Sequence, residues 1–218
     1  MTDHRFTAII FDLDGTLTDP GSGIIATIRG VLATLGVKMP PRAEMAWCVG
    51  PPLREIFTRL LEPAGKLELV DQAAALYVQN YAQAGAAESA AYPGVVQMLT
   101  ELRGAAARLF VVTSKNTAAA ERSLGLCGLR RYFDHVAGNA RLDDKSDTVR
   151  ELIEREQLDH ATTAIVGDRA PDVVAGQRNA IHTIGVTYGY GSREELAAAG
   201  ANCICASPSD IARLLLAG

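Results

Sequence analysis

The sequence predicts an α/β protein: a three-layer core with a parallel sheet between helices, interrupted near its start by an all-helical block. Three observations predict it. From about residue 92 onward, short apolar runs alternate with amphipathic stretches of helical period, and that alternation builds parallel sheets covered on both faces. An isolated apolar run, Thr7-Ala8-Ile9-Ile10-Phe11, precedes a block at about 18–88 with helical periodicity and no convincing strand. The chain has 218 residues, 48% hydrophobic and 21% charged, enough to bury a full core and too apolar for a disordered chain.

In chain order, the run ending at Phe11 reads as a buried parallel strand. Ile24, Ile25, Ile28, Val31, Leu32 and Leu35 then recur at helical spacing, with Ser22 as N-cap and Gly36 as stop. Leu53, Ile56, Phe57, Leu60 and Leu61 give a second amphipathic helix after the Gly50-Pro51-Pro52 break, and residues 67–84 a third. Beyond Tyr92-Pro93-Gly94 the reading is helix 95–103, strand 109–112, helix 117–124, strand 132–136, helix 146–156 and strand 163–166. A helix with Pro171 at its first position follows. Strand 181–186, helix 192–199, strand 202–205 and a terminal helix capped by Ser207-Pro208 complete the chain.

Charge and cysteines narrow the function classes. Lys+Arg number 21 and Asp+Glu 25, a net charge of −4, so no basic excess points to nucleic acid or an anionic membrane face. An anionic ligand would require positive charge gathered locally, by a metal, a lysine or helix N-termini. Cys48, Cys127, Cys203 and Cys205 form no C-x-x-C pair and read as small reduced core residues. Chemistry-bearing residues within the first fifteen or so positions leave no room for a signal peptide, and no apolar run reaches membrane-spanning length. The expected location is the cytoplasm, with no membrane partner.

Ligands of parallel sheets sit at the carboxyl ends of the strands, so the residues after each strand carry the chemistry. The first strand delivers Asp12-x-Asp14-Gly15-Thr16, where Gly15 lets the chain turn at once so that both acids serve one site. The second delivers Thr113-Ser114-Lys115-Asn116, hydroxyls beside the N–H groups of a helix start. Lys145 stands near the start of a helix after the third strand, and Gly167-Asp168-Arg169-Ala170-Pro171-Asp172 follows the fourth. Clustered carboxylates need a cation, and hard oxygen ligands without a Cys/His set suit Mg²⁺ held with a substrate phosphate. One carboxylate can attack phosphorus, and a second can protonate the leaving oxygen and then activate water.

Phe11-Asp12-Leu13-Asp14-Gly15-Thr16-Leu17-Thr18, Thr113-Ser114-Lys115, Lys145 and Gly167-Asp168-x-x-x-Asp172 resemble the four motifs of the haloacid-dehalogenase (HAD) superfamily of phosphohydrolases, in that family's order. The resemblance covers nearly the whole chain. It implies a Rossmann-like core at 1–17 and 89–218 and a helical cap domain at 18–88. Val49-Gly50-Pro51-Pro52-Leu53 and Val186-Thr187-Tyr188-Gly189-Tyr190-Gly191 are most similar to the phosphoglycolate phosphatase and 5′-nucleotidase-like branch. By that resemblance Asp12 is the nucleophile and forms an aspartyl-phosphate. Asp14 is the general acid/base, binding Mg²⁺ through its backbone carbonyl. Gly15, Thr113 and the Ser114 amide contact the phosphoryl group, and Lys145 neutralises charge. Asp168 is a Mg²⁺ ligand and Asp172 a second, outer acid. Asp143-Asp144-Lys145-Ser146 departs from the Lys-Pro pair of many relatives, which makes Lys115 a rival for the lysine role.

Plainer readings stand beside these. Asp172 also suits the N-terminus of its helix. Asp143 and Asp144 read as solvated loop charges. Arg54 is either a surface arginine or a ligand for a substrate anion. His135, His160 and His182 read as packing residues. The function so implied is a Mg²⁺-dependent phosphatase of a small phosphorylated metabolite, either phosphoglycolate-like or a nucleoside monophosphate, working as monomer or homodimer. A phosphomutase on the same scaffold and a catalytically silent binding protein are the alternatives. Dehalogenation is disfavoured because it needs no leaving-group acid, and Asp14 is present.

Overall fold

The computed structural model describes residues 6–49, 53–83, 89–138 and 144–217. The chain divides into two compact units, Met1–Asp19 with Ala90–Gly218, and Pro20–Ser89. β1 (Ala8–Phe11) is followed by a turn, a two-residue strand β2 (Thr18–Asp19), and the helical unit with α1 (Gly21–Thr34), α2 (Leu53–Leu61) and α3 (Val70–Gln83). The chain returns through β3 (Ala90–Ala91), antiparallel to β2. It then alternates through α4 (Val95–Gly104), β4 (Arg108–Thr113), α5 (Thr117–Leu126), β5 (His135–Gly138), α6 (Lys145–Glu156) and β6 (Thr163–Gly167). The last elements are α7 (Ala170–Arg178), β7 (His182–Val186), α8 (Arg193–Ala198), β8 (Cys203–Cys205) and α9 (Pro208–Leu216).

The sheet has the order β5-β4-β1-β6-β7-β8, and every pairing in it is parallel. β1 is buried on both faces. Ile9 and Phe11 pack with Val95, Leu99, Leu124 and Ile211, whereas Ala8 and Ile10 pack with Val149, Leu152 and Ala175. Two covered faces demand a continuous apolar strand, which is why Ala-Ile-Ile-Phe reads without polar alternation. From β1 the chain steps outward through β4 and β5, then resumes on the other side with β6, β7 and β8. The order reverses at β1, the place where open parallel sheets leave a crevice at their carboxyl ends. Phe11 lies opposite Val111 on one side and Val166 on the other, so the residues after β1, β4 and β6 emerge together.

The helical unit has its own core, in which Ile28, Val31, Leu32, Ile56, Phe57, Leu61 and Tyr77 are buried. Among the described residues no helix is long and apolar enough to cross a membrane.

Several elements differ from the sequence reading. β2 and β3 were not expected: two residues per strand carry no periodicity, and only their pairing, Thr18 opposite Ala91, makes them strands. The strand read at 132–136 lies at His135–Gly138, because Arg130–Tyr132 closes a 3₁₀ turn first. Ser22 does not cap α1. The helix begins one residue earlier, at Gly21, and no side chain caps it. The third helix starts at Val70 after a 3₁₀ turn at Leu67–Leu69. Pro171 takes the second position of α7, whereas Ser207 caps α9 through the Asp210 N–H. Gly50-Pro51-Pro52 and Asp143 lie outside the described residues.

Candidate active site

The turn after β1 is set by its backbone. The Asp12 N–H continues the β6 ladder to the Val166 carbonyl at 2.9 Å, and the Leu17 and Thr18 N–H groups fold back onto the Leu13 carbonyl. Gly15 sits at φ +97°, a conformation costly for any other residue, and a Cβ there would run into the Asp168 carboxylate. The reversal lets Asp12 and Asp14 line one cavity of about 300 Å³ with Thr113, Ser114, Lys115, Lys145 and Asp172. That volume is at the small end for ligand sites and suits a small metabolite.

Two lysines answer the acids. Asp144 caps α6, accepting from the Ser146 N–H at 3.0 Å and its hydroxyl at 2.8 Å, and so directs Lys145, the first helical residue. The buried Lys145 Nζ donates to Asp12 Oδ1 at 2.6 Å and to Asp172 Oδ1. Burial alone would lower its pKa; the Asp12 and Asp172 carboxylates prevail and hold its ammonium above the usual lysine range. Lys115 Nζ lies 2.8 Å from Asp14 Oδ2. It stands just ahead of α5, which Asn116 caps through the Ala119 N–H.

Burial pushes the Asp12 carboxyl up to about 8, opposed by Lys145 and reinforced by Asp172 and Asp168. Asp168 is also raised, first by burial, against the N–H of Tyr190, which donates to Oδ2 at 2.9 Å. The Thr16 hydroxyl donates to Asp168 Oδ1 at 3.1 Å. Asp172 divides its oxygens: Oδ2 accepts the Arg169 N–H at 3.1 Å in a capping box, while Oδ1 takes Lys145. The plain reading of Asp172 as a helix-start residue therefore holds together with its place in the site. Asp12, Asp168 and Asp172 each offer an oxygen within 4.8 Å of the others. Three buried acids answered by one lysine, with Asp12 raised by burial and further by Asp172 and Asp168, fit a hard divalent cation such as Mg²⁺.

Residues 9–186 match the family model described as haloacid dehalogenase-like hydrolase. The chain belongs to that family. A 5′-nucleotidase of Pseudomonas aeruginosa is 32% identical over 97% of this chain and 96% of its own length. A plasmid phosphoglycolate phosphatase of Cupriavidus necator is 33% identical over 96% of this chain and 93% of its own. The crystal structure of a Clostridium difficile protein superposes with a TM-score of 0.90 at 30% identity, covering 97% of this chain and 99% of that one. The sheet with its flanking helices is the haloacid dehalogenase-like fold.

Within this family member the structure gathers Asp12, Asp14, Gly15, Thr113, Ser114, Lys145, Asp168 and Asp172 at the carboxyl end of β1, β4 and β6. The two candidate lysines do not compete for one place: Lys145 pairs with Asp12 and Asp172, Lys115 with Asp14. The Asp14 carboxylate faces Lys115 and is not one of the three clustered acids, so any metal contact from Asp14 falls to its backbone carbonyl. Asp144 is corrected from a solvated loop charge to a helix cap that also pairs with Arg178, because α6 begins directly after it. Arg54 lies on α2, exposed and paired with Asp71. None of His135, His160 and His182 lines the cavity; His160 Nδ1 sits 2.7 Å from the Asn179 carbonyl. Sequence reasoning missed Arg169 on the cavity wall, and Thr16 and Tyr190 behind Asp168.

Proposed function

We propose that this family member is a Mg²⁺-dependent phosphatase of small phosphomonoesters working through an aspartyl-phosphate on Asp12. The observation that carries the proposal is the buried Asp12, 2.6 Å from the Lys145 ammonium and clustered with Asp168 and Asp172 at the reversal point of the sheet. The relatives named for phosphoglycolate and 5′-nucleotide hydrolysis support the substrate class.

In this reading the Thr113 hydroxyl, the Ser114 N–H and the Gly15 turn orient the phosphoryl oxygens. An Asp12 oxygen attacks phosphorus, the bond to the leaving oxygen breaks, and Asp14 gives that oxygen its proton. Asp14 then takes a proton from water. The water oxygen attacks the phosphoryl group on Asp12, releasing phosphate and restoring the carboxylate. Lys145 neutralises Asp12 and the incoming phosphoryl charge throughout. Mg²⁺ held by Asp12, Asp168, Asp172 and the Asp14 carbonyl would, when bound, neutralise phosphoryl charge and hold its oxygens. The helical unit is the cap in this proposal, and leaving-group choice is assigned to it, with Arg54 as a ligand for a second substrate anion.

Hydrolysis of p-nitrophenyl phosphate is expected to stop in EDTA and in Asp12→Asn. Enzyme quenched during turnover should carry one added phosphoryl group by mass spectrometry, absent from Asp12→Asn. Turnover that survives either treatment refutes the mechanism. Ranking phosphoglycolate against nucleoside monophosphates by kcat/KM identifies the substrate, and a sugar phosphate interconverted without phosphate release would mark a mutase.

A further inference from the structure

Tyr188-Gly189-Tyr190-Gly191, just after β7, crosses the turn that follows β1, and none of its residues lines the cavity. Its contacts converge on Asp168. The Tyr190 N–H donates to Oδ2 at 2.9 Å and the Thr16 hydroxyl to Oδ1 at 3.1 Å, so both oxygens are held and each keeps a lone pair for a cation. The Tyr188 hydroxyl donates to the Thr16 carbonyl at 2.9 Å, bracing that residue from behind. At its far end the Tyr190 ring is anchored by its hydroxyl, which donates to Asp19 on β2. The Tyr92 ring meets Tyr188 edge-on, with centroids 5.1 Å apart. The glycines are required by proximity. A Cβ on Gly189 would strike the Gly15 carbonyl and the Asp168 side chain, and one on Gly191 would strike the Asp168 carbonyl.

We propose that Tyr190, seconded by Tyr188, is a positioning residue that presets the Asp168 carboxylate for the metal. The link from the Tyr190 hydroxyl to Asp19 fixes the ring, the ring fixes its own backbone N–H, and the N–H fixes Oδ2. Tyr188 does the same for Oδ1 through Thr16. Hydrogen bonds of this outer kind orient metal ligands, and their loss typically weakens metal binding by about 10–100-fold. The inference rests on the metal reading of the site, and its test separates the two.

Mn²⁺ binding is measured directly on the full chain, by calorimetry and by electron paramagnetic resonance of the free ion. The proteins are wild type, Tyr190→Phe, Thr16→Val and Thr16→Ser. Wild type is expected to bind one Mn²⁺. Tyr190→Phe and Thr16→Val should bind it about 10–100-fold more weakly, and Thr16→Ser, which keeps the hydroxyl, should stay close to wild type. Wild-type affinity in Tyr190→Phe, whatever its melting temperature, overturns the proposal. A wild-type protein that binds no Mn²⁺ overturns the metal reading, and the proposal with it. Should Tyr190→Phe fail to fold, Asp19→Ala removes the same anchor from the other end and carries the same expectation.

Discussion

Replacing Lys145 with methionine keeps most of the side-chain volume and removes the charge. The ammonium lies 2.6 Å from Asp12 Oδ1, also pairs with Asp172, and has a side chain only 7% exposed. At that separation and an effective dielectric near 20, its attraction to Asp12 alone is about 6 kcal/mol. Desolvation of the ammonium offsets part of this, and removing one partner of a buried pair costs about 3–5 kcal/mol. The stranded acids relieve their repulsion by binding a proton. Lys145 is the group that opposes the burial of Asp12, so without it the Asp12 carboxyl rises further. The cost of the broken pair falls on folding; in the proposed mechanism Lys145 also meets the charge of the phosphoryl group, and removing one such preorganised group typically lowers the rate by roughly 10²–10³, about 2.7–4 kcal/mol of barrier at 1.36 kcal/mol per decade. The assay is p-nitrophenyl phosphate hydrolysis at pH 7 with Mg²⁺ present, with circular dichroism as the control for folding. Activity within tenfold of wild type would show that the Lys145–Asp12 contact has no catalytic part. A heavy loss in Lys115→Met with a mild one in Lys145→Met would transfer the role to Lys115.

Asp14→Asn is expected to leave Mg²⁺ binding largely intact and to slow turnover by roughly 10²–10⁴, most severely for poor leaving groups; an equal rate on a poor leaving group refutes its acid/base role. Mg²⁺ at about 100 times its Kd should add about 2.7 kcal/mol of stability, some 5–10 °C in melting temperature for a chain of this size, and Asp168→Asn should abolish the shift. An undiminished shift in that variant removes Asp168 from the metal site. Arg54→Ala removes an exposed ion pair and should change stability by less than about 1 kcal/mol. It should raise KM for a carboxylated phosphomonoester and not for p-nitrophenyl phosphate; no change in either KM excludes Arg54 as a substrate ligand. Ile10→Ala, which opens a void beneath the central strand, should cost about 2–5 kcal/mol in chemical denaturation, and a cost below 1 would contradict its place in the core.

The acids after β1 and β6 were legible because each directly follows an apolar strand buried on both faces, a pattern local to the sequence. The parallel sheet was legible in the strand–helix alternation, whereas its strand order, β5-β4-β1-β6-β7-β8, was not read from the sequence. The resemblance favoured Lys145 and left Lys115 as a rival, which residue types alone could not exclude. Both stand near helix starts, and only the distances to Asp14 and Asp12 distinguish them. Thr16 and Tyr190 were invisible as partners of Asp168 because their contacts span 152 and 22 residues and follow no period. The β2–β3 ribbon was missed because two paired residues leave no mark on hydropathy. Asp144 was misread because an Asp before Lys-Ser looks the same in a loop as at a helix cap until the helix start is known.

Asp12 and its partners are far apart along the polypeptide. Asp12 and its ammonium are separated by 133 residues, and Thr16 and the carboxylate it holds by 152. During synthesis Asp12 leaves the ribosome well before Lys145 does. Contacts of such long range are slow to form. The site is thus built from contacts that close loops over more than half of the chain.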